Sequence, residues 1–401
     1  MTAPLAALTQ VEVSRTALRH NIGVLHDASR EGGRQPLLCA MVKGNAYGHG
    51  MLAVAQPLLD AGADWLGTHD IGEIAALRQA GIAAPLYNVG YLPPDHAARA
   101  VQLGARFVVY DAAVIAAARQ AAVAAGTVAR MHVKVETGNN RQGLRHDEAV
   151  ALALHIGRDP ALVLEGMATH FADVEDTTDH RFARSQLERF DATCRAVRDA
   201  LQLPPAGHPN DQLLCHASNS AAVLLWPEVC GALVRFGIAA YGLWPSKETL
   251  LSCRQLGRRA VQLQPALSWK TRIAQVRAVP AGEYIGYGRT FRAVRAMQIA
   301  VLPVGYYDGV DRRLSNLGQV LVGGQRARIV GRVAMNVTVV DITDCPGAAV
   351  GSEVVLIGAQ ADPGAGLSDT IAADEVAGWL GSIHYEVVTR IGSHVPRLLV
   401  D

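Results

Sequence analysis

Eight short apolar runs recur between residues 37 and 242, and their spacing constrains the fold more than any other feature of the chain. The runs are LLCAMVK (37–43), WLGTH (65–69), PLYNVG (85–90), RFVVYD (106–111), RMHVKVET (130–137), LEGMATHF (164–171), LLCHAS (213–218) and LVRFGIAAYG (233–242). Between them lie Ala- and Leu-rich segments, such as 71–80, 112–125, 145–157 and 180–200, with apolar residues three and four apart. Continuous apolar runs fit strands buried on both faces, and the intervening helical period fits crossovers that return the chain to a parallel neighbour. Eight such repeats predict an α/β chain whose N-terminal part is a (β/α)8 TIM-type barrel. An open doubly wound sheet is the rival, but no G-x-G-x-x-G turn follows the first run.

After Leu243 the texture changes. Residues 262–360 read as alternating or β-branched runs punctuated by Gly, Pro and Asp, which predicts a mostly-β C-terminal domain. We place the division at 1–258 and 259–401. A last helix is predicted near 371–382, followed by a final strand.

Charge and composition narrow the function classes. Thirty-seven basic residues against 36 acidic ones give a net charge of +1 without long runs of either sign, so nothing favours nucleic acid or a membrane surface. A small-molecule substrate is the default partner. The N-terminal stretch lacks a basic start followed by an apolar core, and no segment offers the apolar length of a membrane span, which predicts a cytoplasmic protein. Cys39, Cys194, Cys215, Cys230, Cys253 and Cys345 are scattered without C-x-x-C spacing, as expected of reduced thiols with no metal role. Lysine is scarce: Lys43, Lys134, Lys247 and Lys270 are the whole set. Where arginine is the usual cation, a lysine more often marks a place that needs a primary amine.

Lys43 closes the first run and is followed by Gly44, Asn45, Ala46, Tyr47, Gly48, His49 and Gly50, a small-residue loop at a strand end, where barrels put their chemistry. A lysine stem flanked by apolar strand is desolvated, which lowers its pKa and suits covalent chemistry with a carbonyl. The string AMVKGNAYGHG resembles the signature AVVKANAYGHG of alanine racemases. Further resemblances follow in family order: KVETGNNRQGL (134–144), GMATHF (166–171), HASNSAA (216–222), VRFGIAAYGL (234–243), GYGRTF (286–291), PVGYYDGVDRRLSN (303–316), GRVAMN (331–336) and HYEVVTRI (384–391).

The resemblance implies that Lys43 carries pyridoxal 5'-phosphate and that Arg235 faces its pyridine nitrogen. An arginine keeps its proton and leaves that nitrogen unprotonated, which favours racemisation over decarboxylation or transamination. Tyr47, Ser220, Gly237, Ile238 and Tyr385 match phosphate contacts; Ser220 also reads as a plain helix N-cap. Arg141 resembles the arginine shared by the cofactor and the substrate carboxylate. Lys134 matches a lysine that is carbamylated in many relatives, and it could equally pair with Glu136. Racemisation needs a base on each face of a planar centre. The resemblance assigns one face to Lys43 and the other to Tyr287 of the neighbouring subunit in a homodimer with shared sites, with His170 bonded to that tyrosine and held in turn by Arg235. Met335 matches a residue whose backbone holds the substrate carboxylate, and Tyr306, Arg312 and Arg332 resemble an entrance corridor.

Asn336, Gly44, Asn139 and Asn140 depart from the family pattern near the substrate. The expected activity is interconversion of L- and D-alanine, of the kind that supplies D-alanine for cell-wall precursors. The alternatives are a broader or serine-preferring racemase and a cofactor-binding homeostasis protein. A decarboxylase relative would want an acid where Arg235 stands.

Overall fold

The computed structural model describes residues 7–31, 33, 35–258 and 261–401. Residue 259, where the sequence places the start of the second domain, lies outside them. The chain forms two compact units. One comprises Thr16–Gly44 and Val54–Gln264; the other takes Pro265–Asp401, Asn45–Ala53 and the described part of Met1–Arg15.

The first strand, β1 (Gln10–Ser14), belongs to the second unit. The next eight are β2 (Leu37–Met41), β3 (Trp65–Thr68), β4 (Leu86–Asn88), β5 (Arg106–Val109), β6 (Ala129–Lys134), β7 (Leu162–Ala168), β8 (Leu214–His216) and β9 (Leu233–Phe236). They run parallel in the order β8-β7-β6-β5-β4-β3-β2-β9, each on one of the eight apolar runs. The ring is nearly closed: β8 and β9 share no ladder, but Ala232 N–H donates to the Cys215 carbonyl (3.2 Å) and Arg235 N–H to that of Ser218 (3.1 Å). Helices follow the strands with local start signals. Asp70 accepts from Glu73 N–H to open Ile71–Gln79, and Asp111 accepts from Ala113 N–H to open Ala112–Ala124. Leu38, Leu66, Leu86 and Phe107 are fully buried, each contributing about 2 kcal/mol of transfer free energy.

In the second unit, β1 pairs antiparallel with Leu267–Arg272 and parallel with Arg397–Val400. Leu267–Arg272 pairs onward with Glu353–Asp362, which pairs with Gln319–Val322 and Leu367–Ile371. A separate antiparallel sheet joins Gln275–Val279, Met297–Leu302 and Thr338–Asp341 over a core of Val279, Ile285, Ala293, Met297, Ile299 and Val330. In place of one terminal helix the structure has two: Ala373–Leu380, stopped by Gly381 at φ 62°, and His384–Thr389. The left-handed C-cap glycine accounts for the break.

His49 is wholly buried in this unit, its Nδ1 3.0 Å from the carbonyls of both Ala46 and Tyr47. Burial pushes its imidazole down to about 4. The unfolded chain therefore takes up a proton first as pH falls, near an ordinary histidine value of about 6.5. The stability His49 contributes is complete above that value and is lost as pH drops toward the folded one. Between about pH 7.5 and about pH 5 the loss is about 2 kcal/mol. Urea unfolding at the two pH values should show a correspondingly smaller difference in His49→Gln than in the parent; equal differences would refute it.

Candidate active site

Lys43 stands two residues past β2, after Val42 N–H has donated to the Gly67 carbonyl at 2.7 Å. From Gly44 the backbone enters the left-handed region and stays there: φ is 61° at Gly44, 53° at Asn45, 55° at Ala46, 52° at Tyr47 and 84° at Gly48. Three consecutive non-glycine residues in that region cost about 1 kcal/mol or more each, so the surroundings must hold the turn. Asn45 does much of this work, its carbonyl taking Gly50 N–H and its side-chain oxygen taking Met51 N–H, both at 2.9 Å. Glu73 secures the lysine end by accepting from Gly44 N–H at 2.9 Å.

Around Lys43 the barrel strands deliver more cations than anions. Lys134 ends β6, Arg141 follows in the loop after it, and Arg235 is buried in β9. Burial first, and then the charge of Arg141, pulls the Lys43 amine down. The same causes, with Arg235 leading among the charges, hold Lys134 well below its ordinary value. His170, two residues beyond β7, is held well below the imidazole range by burial and by Lys134, Arg235, Arg141 and Lys43. The alternative for Lys134, an ion pair with Glu136 or another acid, is not formed among the described residues. Glu136 instead accepts the backbone N–H groups of Gly138 and Arg141 and so shapes the loop that carries Arg141.

Arg235 has no carboxylate partner among the described residues. One of its terminal nitrogens donates to Nδ1 of His216 and the other to the carbonyls of Thr169 (2.8 Å) and Ala217 (3.2 Å). It meets the backbone beside His170, and no hydrogen bond joins it to the His170 ring among the described residues. Because a guanidinium only donates, His216 Nδ1 must accept, leaving its Nε2–H to donate to His132 Nδ1 at 2.8 Å. His132 Nε2–H is then directed at Glu165, 3.3 Å away. Burial keeps both rings neutral by lowering their pKa values. This buried relay fixes Arg235 in one orientation, and neither histidine was singled out by sequence reasoning. The signal available was position: His216 opens HASNSAA, and His132 lies inside the fifth apolar run.

Past β8, the helix Ser220–Leu225 is capped by Asn219, whose side chain accepts from Ala222 N–H. Ser220 is thus not the cap. Its hydroxyl accepts from Gly237 N–H at 3.0 Å, bringing the Ser220 and Gly237–Ile238 segments together just beyond the ends of β8 and β9.

The remaining candidates belong to the second unit. Tyr47 and Tyr385 have ring centroids 6.1 Å apart. Gly48 lies so close to the Val388 carbonyl that a Cβ there would overlap it. Tyr287 sits at the tip of the hairpin Tyr284–Ile285/Phe291–Arg292, between Gly286 and Gly288, both at positive φ, and is 74% exposed. Met335 is exposed beside the Gly305–Tyr306–Tyr307 turn, its carbonyl taking Tyr307 N–H at 2.9 Å.

Residues 13–245 match the family model of the alanine racemase N-terminal domain, and residues 266–399 that of the C-terminal domain. The chain belongs to the alanine racemase family. Among curated relatives, the alanine racemase of Symbiobacterium thermophilum is 39% identical over 97% of this chain and 96% of its own length. That of Leptospira interrogans is 35% identical over 98% and 95%. Among solved structures, the alanine racemase of D-cycloserine-producing Streptomyces lavendulae superimposes with a TM-score of 0.85 at 32% identity, covering 99% of this chain and 98% of that one. The alanine racemase of Bacillus anthracis with bound L-Ala-P gives 0.86 at 32% identity, over 100% and 96%. The chain is thus an amino-acid racemase, an isomerase, by family. Among the described residues, no helix of this racemase is long and apolar enough to cross a membrane, and no His/Cys/Asp/Glu cluster could hold a metal ion.

Proposed function

We propose that this chain interconverts L- and D-alanine with pyridoxal 5'-phosphate on Lys43, as a cytoplasmic homodimer whose sites draw on both subunits. The observation that carries the reading is the excess of positive charge at the barrel's strand ends. There the charges of Arg141 and Arg235 add to burial in lowering the amines of Lys43 and Lys134, with Glu73 and Glu175 acting against them at Lys43 and Glu136 at Lys134. A dianionic phosphate and a substrate carboxylate are the ligands such a charge pattern favours. The donor set fits the cofactor as well. Lys43 offers an amine whose lowered pKa suits attachment to an aldehyde, Arg235 a fixed guanidinium for the pyridine nitrogen, and the joined Ser220 and Gly237–Ile238 segments polar groups for the phosphate, for which the family resemblance also offers Tyr47 and Tyr385. When bound, the cofactor supplies the electron sink that acidifies the substrate Cα–H.

The protein's own residues do the rest. Arg141 and the Met335 backbone hold the carboxylate, and the Lys43 amine moves the Cα proton on one face. On the other face the proton belongs to the partner subunit's Tyr287, with His170 as its hydrogen-bond partner. His170 suits this role because its depressed pKa keeps the ring neutral and able to accept from a phenol. The exposure of Tyr287 at a hairpin tip supports a role outside its own subunit. Lys134, half-buried, without an acid partner among the described residues and pushed toward its neutral amine, is in the state that reacts with carbon dioxide, which supports carbamylation and a brace for Arg141.

A panel of L-amino acids assayed for D-isomer formation by chiral chromatography tests the reading. Alanine should be the best substrate and serine slower, because Tyr385 and Met335 match positions that keep the site small in the family. Faster turnover of serine or of a long basic amino acid would overturn the substrate, with Asn336 and Asn140 the first positions to examine. Formation of an amine and carbon dioxide, or no turnover at all, would overturn the reaction.

A further inference from the structure

We propose that Cys194 and Cys215 form a site of reversible oxidation by hydroperoxides, at the end of the barrel away from the racemase chemistry. Cys215 lies on β8 and Cys194 on the helix Arg181–Leu201, one turn before Arg198 and on the same helix face, and the Arg198 guanidinium reaches the Cys215 sulfur. Both line a cavity of about 1040 Å³ together with Leu37, Leu214 and Ala232, which stand at or just before the starts of β2, β8 and β9. The racemase groups sit past the other ends of the same strands. The exposed His208 also lines the cavity, which gives a small oxidant a path from solvent.

Arg198 makes this pair unlike the other four thiols. Its side chain is 7% exposed, and Nη1 donates to Cys215 Sγ at 3.1 Å. Nη2 donates to Asp211 (2.6 Å) and to the Leu213 carbonyl (3.1 Å), while Nε has no partner among the described residues. A buried guanidinium with one carboxylate and an unused donor favours a second anion beside it, and the sulfur it touches is the group able to become one. The guanidinium donates to Cys215 and makes no hydrogen bond to Cys194 among the described residues, so Cys215 is the sulfur favoured as an anion and Cys194 the one left to resolve it.

The chemistry balances. The Cys215 thiolate attacks one oxygen of the peroxide, the O–O bond breaks, and the leaving hydroxide takes a proton to become water, giving a sulfenic acid. The Cys194 sulfur then displaces the sulfenic hydroxyl as a second water, forming the S–S bond. Two thiols lose two electrons and two protons, and hydrogen peroxide becomes two waters. Dithiothreitol reverses the change.

The test uses the intact cofactor-loaded protein. After brief exposure to hydrogen peroxide, free thiols are alkylated and a non-reducing digest is read by mass spectrometry. A linked Cys194–Cys215 peptide pair, lighter by two hydrogens and absent after dithiothreitol, is the expected product. Iodoacetamide should label Cys215 about tenfold faster than the other five cysteines, with a pH midpoint below the ordinary thiol value of about 8.5. In Cys194→Ser, oxidation should stop at a sulfenic acid on Cys215 that dimedone traps. In Cys215→Ser, Cys194 should stay unoxidised. Equal labelling of all six cysteines, no linked pair, or persistent reactivity of Cys194 in Cys215→Ser would each overturn the proposal.

Discussion

Replacing Lys43 by arginine is expected to lower kcat for alanine racemisation by about a thousandfold or more, with the barrel still folded. The substitution keeps a positive charge at the end of β2, so the electrostatics that shape the site change little. What it removes is a group that can be neutral. The Lys43 amine is held down by burial and by Arg141, whereas a guanidinium stays protonated and can neither join the cofactor's aldehyde nor accept a proton from Cα. Borohydride reduction of the parent protein followed by peptide mapping gives an independent readout. The label should fall on Lys43, and recovery on Lys134, Lys247 or Lys270 would end the assignment. Near-parental activity in Lys43→Arg would do so as well.

Mixing two inactive variants should restore about a quarter of parental activity. Lys43→Ala removes the base of one face and Tyr287→Ala that of the other. If each site takes its lysine from one subunit and its tyrosine from the other, a mixed dimer has one site without either base and one with both. Random exchange in equal amounts makes about half of the dimers mixed, with one working site in two. A site assembled within one chain recovers nothing, because every chain carries a defect. The assay is meaningful only once exchange has been verified by mass. Absence of recovery after that would reject shared sites and leave the Lys43 assignment standing.

The eight barrel strands were legible because a parallel strand buried on both faces has to be written as a continuous apolar run, and helix-period segments separate the runs. The site's charged residues were legible through ordered motifs. Three features were not. The left-handed course of Gly44–Tyr47 depends on Asn45 and on surrounding structure, and nothing in local propensity calls for positive φ at Ala46 or Tyr47. His216 reads as an ordinary buried histidine until β9 places Arg235 beside it. The pairing of β1 could not be read locally, because its partners lie at Leu267–Arg272 and Arg397–Val400, beyond any periodicity window. The cap at Asn219 shows a finer limit: adjacent Asn and Ser are both good N-caps, and only the backbone decides which of them is spent.

The pairing of β1 with Arg397–Val400 carries a consequence for how the protein is made. Val11 lies opposite Arg397 and Ser14 opposite Val400, so strands separated in sequence by the whole barrel and most of the second unit are neighbours in one sheet. All strands of the barrel have been synthesised by Phe236. The second unit's sheet stays incomplete until Arg397–Val400 has been made, and the segment Asn45–Ala53, next to Lys43, belongs to that same late unit. Loop closure over such a separation is slow compared with the local pairing of the barrel. A nascent chain therefore carries its lysine long before it carries the framework for the turn that follows it, and catalytic competence arrives as a single late event rather than growing with chain length.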